Sequence, residues 1–226
     1  MNQHKQIWDT FCAKMQINEC KVPLFNCIDG RFVKTKQAGI KSPRSVLCRS
    51  EQMEKMIRTE TDKLVMDWER KKHEYEGLIY VMFLCEFDKV IPLYIGKAES
   101  IGKGEKNLSA NIKNLKSDLS KFARWGDNYA YHIGDLSAVV LAGHHIDKQS
   151  KKYIDWAKSI FVEHPTSIPR LLNDVYFWTM CWKRGTVGIW EDFGPTNLTF
   201  LEYLMIGVAS SAFPDRLLNR DGQNRG

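Results

Sequence analysis

Two apolar runs that lie close together in the middle of the sequence constrain the fold of this chain most. Residues 78–84 (LIYVMFL) and residues 90–96 (VIPLYIG) are rich in β-branched and aromatic side chains, and the polar stretch EFDK lies between them. Short runs of this composition, bounded by a turn, are typical of β-strands. The sequence therefore predicts a β-hairpin across residues 78–96.

Two helix starts are marked by side chains that can cap a helix. Ser50 precedes Glu51 and Glu54, so a hydroxyl cap is followed by an acidic first turn, and apolar residues then recur at helical spacing as far as Trp68. Near the end of the sequence, PTN at residues 195–197 precedes an apolar stretch that faces the core. Both segments are predicted to be helices.

The segments that follow the hairpin give weaker signals. Apolar residues recur at steps of four and three over residues 108–122, which predicts an amphipathic helix that Gly126 can end. Residues 129–141 are predicted to form a third strand, interrupted by a turn at Gly134 and Asp135.

The remaining segments complete the predicted architecture. Residues 154–161 are predicted to form a short helix, whereas the tryptophan-rich residues 171–190 are compatible with either a strand or a helix. The order strand, strand, helix, strand and then helices predicts an α+β fold, in which a small mixed or antiparallel central sheet is flanked by helices. We divide the chain into a basic, partly helical N-terminal extension, residues 1–76, and a second domain, residues 77–226.

Charge and cysteine content narrow the class of protein. The 226 residues carry a formal net charge of +6 at pH 7, which favours a polyanionic partner but also suits many other enzymes. The six cysteines form no C-x-x-C pair and have no histidine at the spacing of a zinc site. The sequence has neither an apolar run long enough to cross a membrane nor a signal-peptide pattern at its N-terminus. We therefore expect a soluble cytoplasmic protein that has reduced thiols and does not bind membranes.

Basic residues clearly outnumber acidic ones between residues 31 and 72. The cationic side chains that we assign to a DNA-contacting arm in this segment are Lys34, Lys36, Lys41 and Arg44. Lysine and arginine bind phosphate groups without reading the base sequence. The alternative is that the segment is a solvated, charged one that packs on the rest of the chain, and the sequence does not separate these two hypotheses.

Two short motifs within the predicted hairpin are more specific. The sequences GLIY at residues 77–80 and YIGK at residues 94–97 resemble the two signature motifs of the GIY-YIG nucleases. The second motif matches the family pattern outright. In the first motif Leu78 stands where the family has glycine, and the glycine comes one residue earlier, at Gly77. The resemblance covers residues 77–226, and the preceding residues match no family that we recognise.

The resemblance implies a set of site residues drawn from the whole second domain. It implies two tyrosines and a histidine that act on the attacking water, cationic groups that bind the phosphate, a glutamate that holds a metal ion, and an asparagine near the end. The residues that fit are Tyr80, Tyr94, His132, Lys97, Arg124, Glu202 and Asn219. Lys113 and Lys116 lie earlier in the same predicted helix as Arg124, where the family arginine often lies, and we assign them to DNA binding.

The implied chemistry is hydrolysis of a phosphodiester bond, in which negative charge builds on the phosphate oxygens and on the leaving 3′-oxygen. One carboxylate such as Glu202 suffices to hold a Mg²⁺ or Mn²⁺ ion whose other ligands are water and phosphate oxygens. The pKa of an ordinary tyrosine is about 10, so either tyrosine needs help from a cation before it can act as a general base.

The leading hypothesis is an endonuclease of the restriction or defence type that cleaves double-stranded DNA with the help of Mg²⁺ or Mn²⁺. Two alternatives stay open: a nucleic-acid-binding module that has lost catalysis, and a repair nuclease that acts on RNA or on particular nucleic-acid structures. A palindromic recognition site would favour a homodimer, because the symmetries of the site and of the protein tend to match.

Overall fold

A computed structural model describes residues 2–39, 43–102 and 107–223. The α-helices of these residues are α1 (Gln3–Lys14), α2 (Glu51–Glu69), α3 (Ala110–Lys113), α4 (His132–Val140), α5 (Lys151–Ile160) and α6 (Leu198–Ala212). The strands are β1 (Val22–Pro23), β2 (Cys27–Ile28), β3 (Phe32–Val33), β4 (Thr35–Ala38), β5 (Arg44–Leu47), β6 (Tyr75–Glu86), β7 (Lys89–Glu99) and β8 (Tyr176–Lys183).

The central sheet is antiparallel and has the strand order β1-β8-β6-β7. Strands β2 and β3 form a separate pair, as do β4 and β5. Helices flank the central sheet, which confirms the predicted α+β fold. The predicted hairpin is also confirmed, because β6 pairs with β7 from Gly77 opposite Glu99 to Glu86 opposite Lys89.

Both predicted helix caps are confirmed. The side chain of Ser50 accepts a hydrogen bond from the backbone N–H of Met53 at 3.0 Å, which satisfies a donor in the first turn of α2. The side chain of Asn197 accepts one from the N–H of Phe200 at 2.8 Å at the start of α6. Helix α5 confirms the short helix that residues 154–161 predict.

Residues 171–190 contain strand β8, which settles the choice that the sequence left open. This strand lies between β1 and β6 in the sheet, and buried side chains occur at successive positions such as Phe177 and Trp178. A strand that is covered on both faces lacks the alternation of apolar and polar residues by which a half-buried strand is recognised.

The helix predicted over residues 108–122 is wrong. In this region Ala110–Lys113 is α-helical and Phe122–Arg124 forms a 3-10 turn. Between them the Asp118 carboxylate accepts a hydrogen bond from the backbone N–H of Ser120 at 3.0 Å, so a side chain takes the place of a helical partner. The apolar residues still reach the core from this irregular chain: Ile112, Leu115 and Phe122 are buried.

The third strand predicted over residues 129–141 is also wrong, because His132–Val140 is helix α4. Nearly all of its side chains are buried, so the segment has no polar face that would mark a helical period. Gly134 and Asp135 do not form a turn that interrupts it. The Asp135 carboxylate instead accepts a hydrogen bond from the N–H of Ala130 at 2.7 Å, just before the helix.

Residues that precede Gly77 belong to the same hydrophobic core as those that follow it. Trp8 and Ile57 are buried in one cluster with Val81. The indole N–H of Trp8 donates a hydrogen bond to the backbone oxygen of Val90 at 2.9 Å, and β1 forms one edge of the central sheet. In the described residues no helix combines the length and the apolar character that a membrane span requires.

Candidate active site

The β6–β7 hairpin brings Tyr80 and Tyr94 to the same face of the sheet. Tyr80 lies opposite Gly96, and Met82 lies opposite Tyr94. Since alternate residues of a strand share a face, the two tyrosines form a diagonal pair on that face. A bulge at the Met82/Phe83 step shifts the register next to Tyr94, and the two ring centres are 6.4 Å apart. The two motif tyrosines therefore lie side by side on one face of the sheet.

Gly96 of the second motif makes room for the Tyr80 ring. A Cβ atom at this position would lie 2.6 Å from the Tyr80 hydroxyl oxygen and 2.7 Å from its ring, which is closer than real contacts allow. The Tyr80 ring can therefore lie over residue 96 of the neighbouring strand only because this residue has no side chain. The glycine of one motif thus fixes the position of the tyrosine of the other.

Tyr80 belongs to a buried chain of hydrogen bonds. Its hydroxyl lies 3.1 Å from Nε2 of His132, and Nδ1 of the same ring lies 2.8 Å from the Tyr153 hydroxyl. Burial, together with the charges of Lys152 and Arg124, holds the pKa of His132 well below its usual value. The imidazole is therefore neutral near pH 7, so that one of its nitrogens donates a hydrogen bond to one tyrosine and the other accepts one from the second tyrosine.

Tyr94 lies in more open surroundings, and its hydroxyl has a charged partner. It is half-buried, and Nζ of Lys152 donates a hydrogen bond to its hydroxyl at 3.2 Å. Burial and the negative charge of Glu202 raise the pKa of Tyr94 to about 12, while the Arg124 guanidinium acts in the opposite direction. Tyr94 therefore lies where groups from α5, α6 and the 122–124 turn meet.

Sequence reasoning missed two polar residues of this cluster, Lys152 and Tyr153. Both lie on α5, where Lys152 contacts Tyr94 and Tyr153 holds the far side of the His132 ring. Trp156 of the same helix stacks on His132, with ring centres 5.2 Å apart. The sequence of α5 gives no sign of these contacts, because they depend on how the helix packs against the sheet.

Glu202 lies on α6, as predicted, and is half-buried. Burial raises the pKa of its carboxyl, and the positive charge of Lys97 partly offsets that effect. The Lys97 ammonium donates hydrogen bonds to the Thr199 hydroxyl at 2.6 Å and to the Glu99 carboxylate. Glu202 forms no salt bridge with any cation of the described residues. A metal ion would therefore be a suitable partner for its carboxylate.

The described residues contain no group of three or more His, Cys, Asp or Glu side chains that could hold a metal ion. A zinc site with three or four protein ligands is therefore absent from this part of the chain. The fit to Mg²⁺ rests on Glu202 alone, because Mg²⁺ keeps several waters and needs few protein ligands.

Arg124 lies in a tight turn and not at the end of a long helix. The backbone φ angles of Ala123 (+43°) and Arg124 (+73°) both lie in the left-handed region, which residues other than glycine seldom adopt. The turn is tied to the N-terminal part of the chain, because Arg49 donates a hydrogen bond to the Trp125 oxygen at 2.7 Å. Arg124 itself is exposed, lies 5.5 Å from the centre of the Tyr131 ring, and pairs with no described carboxylate.

Asn219 has a structural task. Its side-chain oxygen accepts a hydrogen bond from the backbone N–H of Ile95 at 2.9 Å, and its amide donates one to the Ile95 oxygen at 2.8 Å. The side chain thereby imitates a neighbouring strand beside the YIG motif. Because Asn219 is buried and both ends of its amide are bound, it supports the backbone next to Tyr94.

Of the six residues assigned to DNA contact, Lys34 and Lys113 are exposed, and no salt bridge joins either to a described carboxylate. Lys36 pairs with Asp127 at 3.3 Å, and Lys116 pairs with Asp62 at 3.2 Å.

Arg44 is partly buried and packs inside the molecule. It donates a hydrogen bond to the Asp127 oxygen at 2.8 Å and lies 4.7 Å from the centre of the Tyr129 ring. Its role is therefore to join β5 to the 127–129 loop. Lys41 lies outside the described residues.

The site as a whole combines a half-buried phenol, a lysine, an exposed arginine and a carboxylate beside a cluster of packed aromatic side chains. Such a set can bind a phosphate group, remove a proton from water and hold one hard cation. Comparisons with protein-family models, with curated proteins and with solved structures found no match to this chain.

Proposed function

We propose that this protein is a divalent-metal-dependent endonuclease of the GIY-YIG type that hydrolyses phosphodiester bonds in double-stranded DNA. The observation that carries the proposal is the pairing of the two motif tyrosines on one face of the hairpin, together with the convergence on that pair of two charged groups from distant parts of the sequence. Beside the effect of burial, Glu202 raises and Arg124 lowers the pKa of both tyrosines, so the two charges act on the whole tyrosine pair. A packing tyrosine in a hairpin needs no such neighbours.

Each side chain has a task in the proposed reaction. Arg124, exposed and without a carboxylate partner among the described residues, offers a planar cation that can bind two phosphate oxygens. Tyr94 takes part in removing a proton from the attacking water. Glu202 would hold a Mg²⁺ or Mn²⁺ ion, which when bound stabilises negative charge on the phosphate.

The buried residues give these groups a fixed geometry. His132 is held between Tyr80 and Tyr153 and packs against Trp125 with ring centres 4.7 Å apart. A neutral, doubly bonded imidazole in this position holds the Tyr80 ring in place. We therefore assign Tyr80 and His132 to positioning within the proposed active site, and Asn219 to the support of the strand that carries Tyr94.

A restriction or defence enzyme that works in the cytoplasm is the form of this function that we favour. Segments outside the motif-bearing hairpin, such as α1 and α2, share one hydrophobic core with it, and among the described residues they form no separate compact unit. Cleavage of palindromic sites would call for a homodimer.

The test is cleavage of supercoiled plasmid by the purified protein with Mg²⁺, with Mn²⁺ and with EDTA, beside a gel-shift assay of DNA binding. We expect cleavage with either metal and none with EDTA. Glu202→Gln should reduce single-turnover cleavage by several orders of magnitude and keep DNA binding, because the charge that holds the cation is lost. Glu163→Gln, an exposed change in the loop after α5, is the matched control and should cleave like the wild type. Undiminished cleavage in EDTA would rule out this mechanism.

One observation favours a second candidate, a nucleic-acid-binding module without catalysis. Tyr80 is buried, and its hydroxyl is already bonded to His132, as in a purely structural network. This candidate predicts salt-dependent DNA binding with no cleavage by either metal. The same pair of assays separates the two candidates.

A further inference from the structure

Lys152 occupies an unusual position for a lysine. It is half-buried on α5. Its Nζ lies 3.2 Å from the Tyr94 hydroxyl oxygen and 4.5 Å from the centre of the Tyr94 ring. The rings of Tyr153 and Trp156 both lie 5.3 Å from the same nitrogen. No carboxylate of the described residues forms a salt bridge with it. The fold therefore holds an amine on the hydroxyl of a motif tyrosine, and this amine forms no salt bridge with a described carboxylate.

The charges that face Lys152 come from each element packed around it. Cations lie on the 122–124 turn and on the C-terminal segment, and carboxylates lie on α4, on α6 and on the same C-terminal segment. The titratable and charged groups around it are Tyr94, Arg124, His132, Asp135, Tyr153, Glu202, Arg220 and Asp221. The opposite charges around Lys152 partly offset one another. Burial therefore has the largest effect on the pKa of Lys152, followed by Arg124, and this pKa falls to about 8.

We propose that the neutral amine of Lys152 is the final acceptor of the proton that Tyr94 releases during hydrolysis, an inference that rests on the proposed nuclease function. As the oxygen of water forms its bond to phosphorus, the water gives a proton to the Tyr94 oxygen. The hydroxyl proton of Tyr94 moves at the same time to Nζ of Lys152, which becomes an ammonium ion. The bond between phosphorus and the 3′-oxygen breaks, and that oxygen takes a proton from solvent.

This relay removes the difficulty that the Tyr94 pKa creates. A free phenolate is scarce near pH 8 when the pKa is about 12, so a mechanism that needs it would be slow. In the relay Tyr94 begins and ends as a neutral phenol, and the species that must be present beforehand is the neutral amine. Near pH 8 that amine is a substantial fraction of Lys152.

The experiment is a single-turnover pH–rate profile of plasmid cleavage with Mg²⁺ for the wild type, Lys152→Arg and Lys158→Arg. The wild-type rate should rise about tenfold per pH unit and level off near the Lys152 pKa, since only the neutral amine accepts a proton. Lys152→Arg keeps a positive charge but cannot accept a proton, so its rate should fall by roughly 10²- to 10⁴-fold and the rising limb should vanish. Lys158 is exposed on the same helix, and Lys158→Arg should retain the wild-type profile.

Two further measurements keep the inference falsifiable if arginine does not fit. Lys152→Met, checked for folding by circular dichroism, should also lose the rising limb of the pH–rate profile. In the native wild type, competitive labelling with an amine-reactive reagent should show half-maximal reactivity of Lys152 near pH 8. A Lys152 that titrates near pH 10.5, or a folded variant that keeps the rate or the limb, overturns this role and leaves the nuclease proposal intact. A wild type that cleaves with neither metal overturns both.

Discussion

Tyr80 and Tyr94 occupy equivalent places in two related motifs, yet their surroundings differ in kind. Tyr80 is buried, stacks on Phe177 and bonds to a neutral histidine. Tyr94 is half-buried and has Lys152 on its hydroxyl, with Glu202 and Arg124 close enough to shift its pKa. Glu202 and Arg124 act on the pKa of Tyr80 as well. The two tyrosines therefore differ in burial and in the partner of the hydroxyl, which is a neutral histidine for Tyr80 and a lysine for Tyr94.

The difference teaches that two residues at equivalent positions in related motifs can have different surroundings. A hydroxyl whose bonding capacity is used inside the protein can order its neighbours but has little access to water. A hydroxyl at the margin of the core, beside a lysine, can exchange protons with a substrate. We therefore expect Tyr94 to be the reactive member of the pair and Tyr80 the positioning member.

The sharpest test of that comparison is to remove each hydroxyl in turn. Tyr94→Phe should reduce single-turnover cleavage by roughly 10²- to 10⁴-fold with little change in stability, because the phenol takes part in proton transfer. Tyr80→Phe should cost less activity but about 1–3 kcal/mol of stability, since a buried nitrogen of His132 loses its partner. The measurements are cleavage rates and urea unfolding of both variants. Equal losses of rate with equal stability would break the comparison.

The next largest effect should come from the support beneath Tyr94. Asn219→Ala removes two hydrogen bonds to Ile95 and leaves buried backbone groups unpaired, so we expect a loss of about 2 kcal/mol in the free energy of unfolding. Asn173→Ala, at an exposed position, is the control and should unfold like the wild type. Urea titration gives both values. An unchanged stability would show that the edge of β7 does not depend on this clamp.

Acid should weaken the closed network around Tyr80. The pKa of His132 is lowered in the folded state, so the unfolded chain binds more protons between that value and about 6.5. The contribution of His132 to the free energy of unfolding should therefore be fully present above about pH 6.5. As the pH drops below that value, the free energy of unfolding should fall by up to about 1.4 kcal/mol per pH unit. His132→Gln should flatten this dependence, whereas His145→Gln, at an exposed position, should not. Urea titrations between pH 5 and 7 would contradict the prediction if both variants kept the wild-type slope.

The smallest predicted effect concerns the contact of DNA with the basic N-terminal segment. Lys34 is exposed, whereas Lys36 already pairs with Asp127. Lys34→Gln should therefore reduce the slope of log affinity against log salt by about 0.9 if that side chain contacts a phosphate, and Lys36→Gln should change it less. Gel-shift titrations over a range of salt measure both slopes. A slope that neither change affects would leave the N-terminal segment with a packing role.

Local signals predicted those parts of the fold whose structure is determined locally. The Ser50 and Asn197 caps bind backbone within their own first turns, and the hairpin runs pair with each other across a tight turn. Residues 108–141 escaped prediction because tertiary burial overrides their pattern. Helix α4 is buried on nearly every side, so it carries no polar face, and the apolar steps of residues 108–122 serve an irregular chain.

The candidate site divides in the same way. The two tyrosines follow from motifs in adjacent strands, and Glu202 follows from a helix with a recognisable start. Lys152 could not be predicted, because a lysine on an amphipathic helix usually lies in solvent and only the docking of α5 places it on Tyr94. The strained turn at Arg124 is equally invisible in sequence, since no glycine marks its left-handed backbone.

The outer edge of β7 has a consequence for assembly. Side chains or loop backbone cover it in succession: Trp8 binds the Val90 oxygen, the N–H of Leu218 binds the Leu93 oxygen, and Asn219 binds both backbone groups of Ile95. The opposite edge, β1, is two residues long. In the described part of the chain, this stretch of β7 therefore offers an extended strand from another molecule few open donors and acceptors to pair with. Two copies of this protein on a palindromic DNA site would therefore have to meet through surfaces other than this stretch of β7.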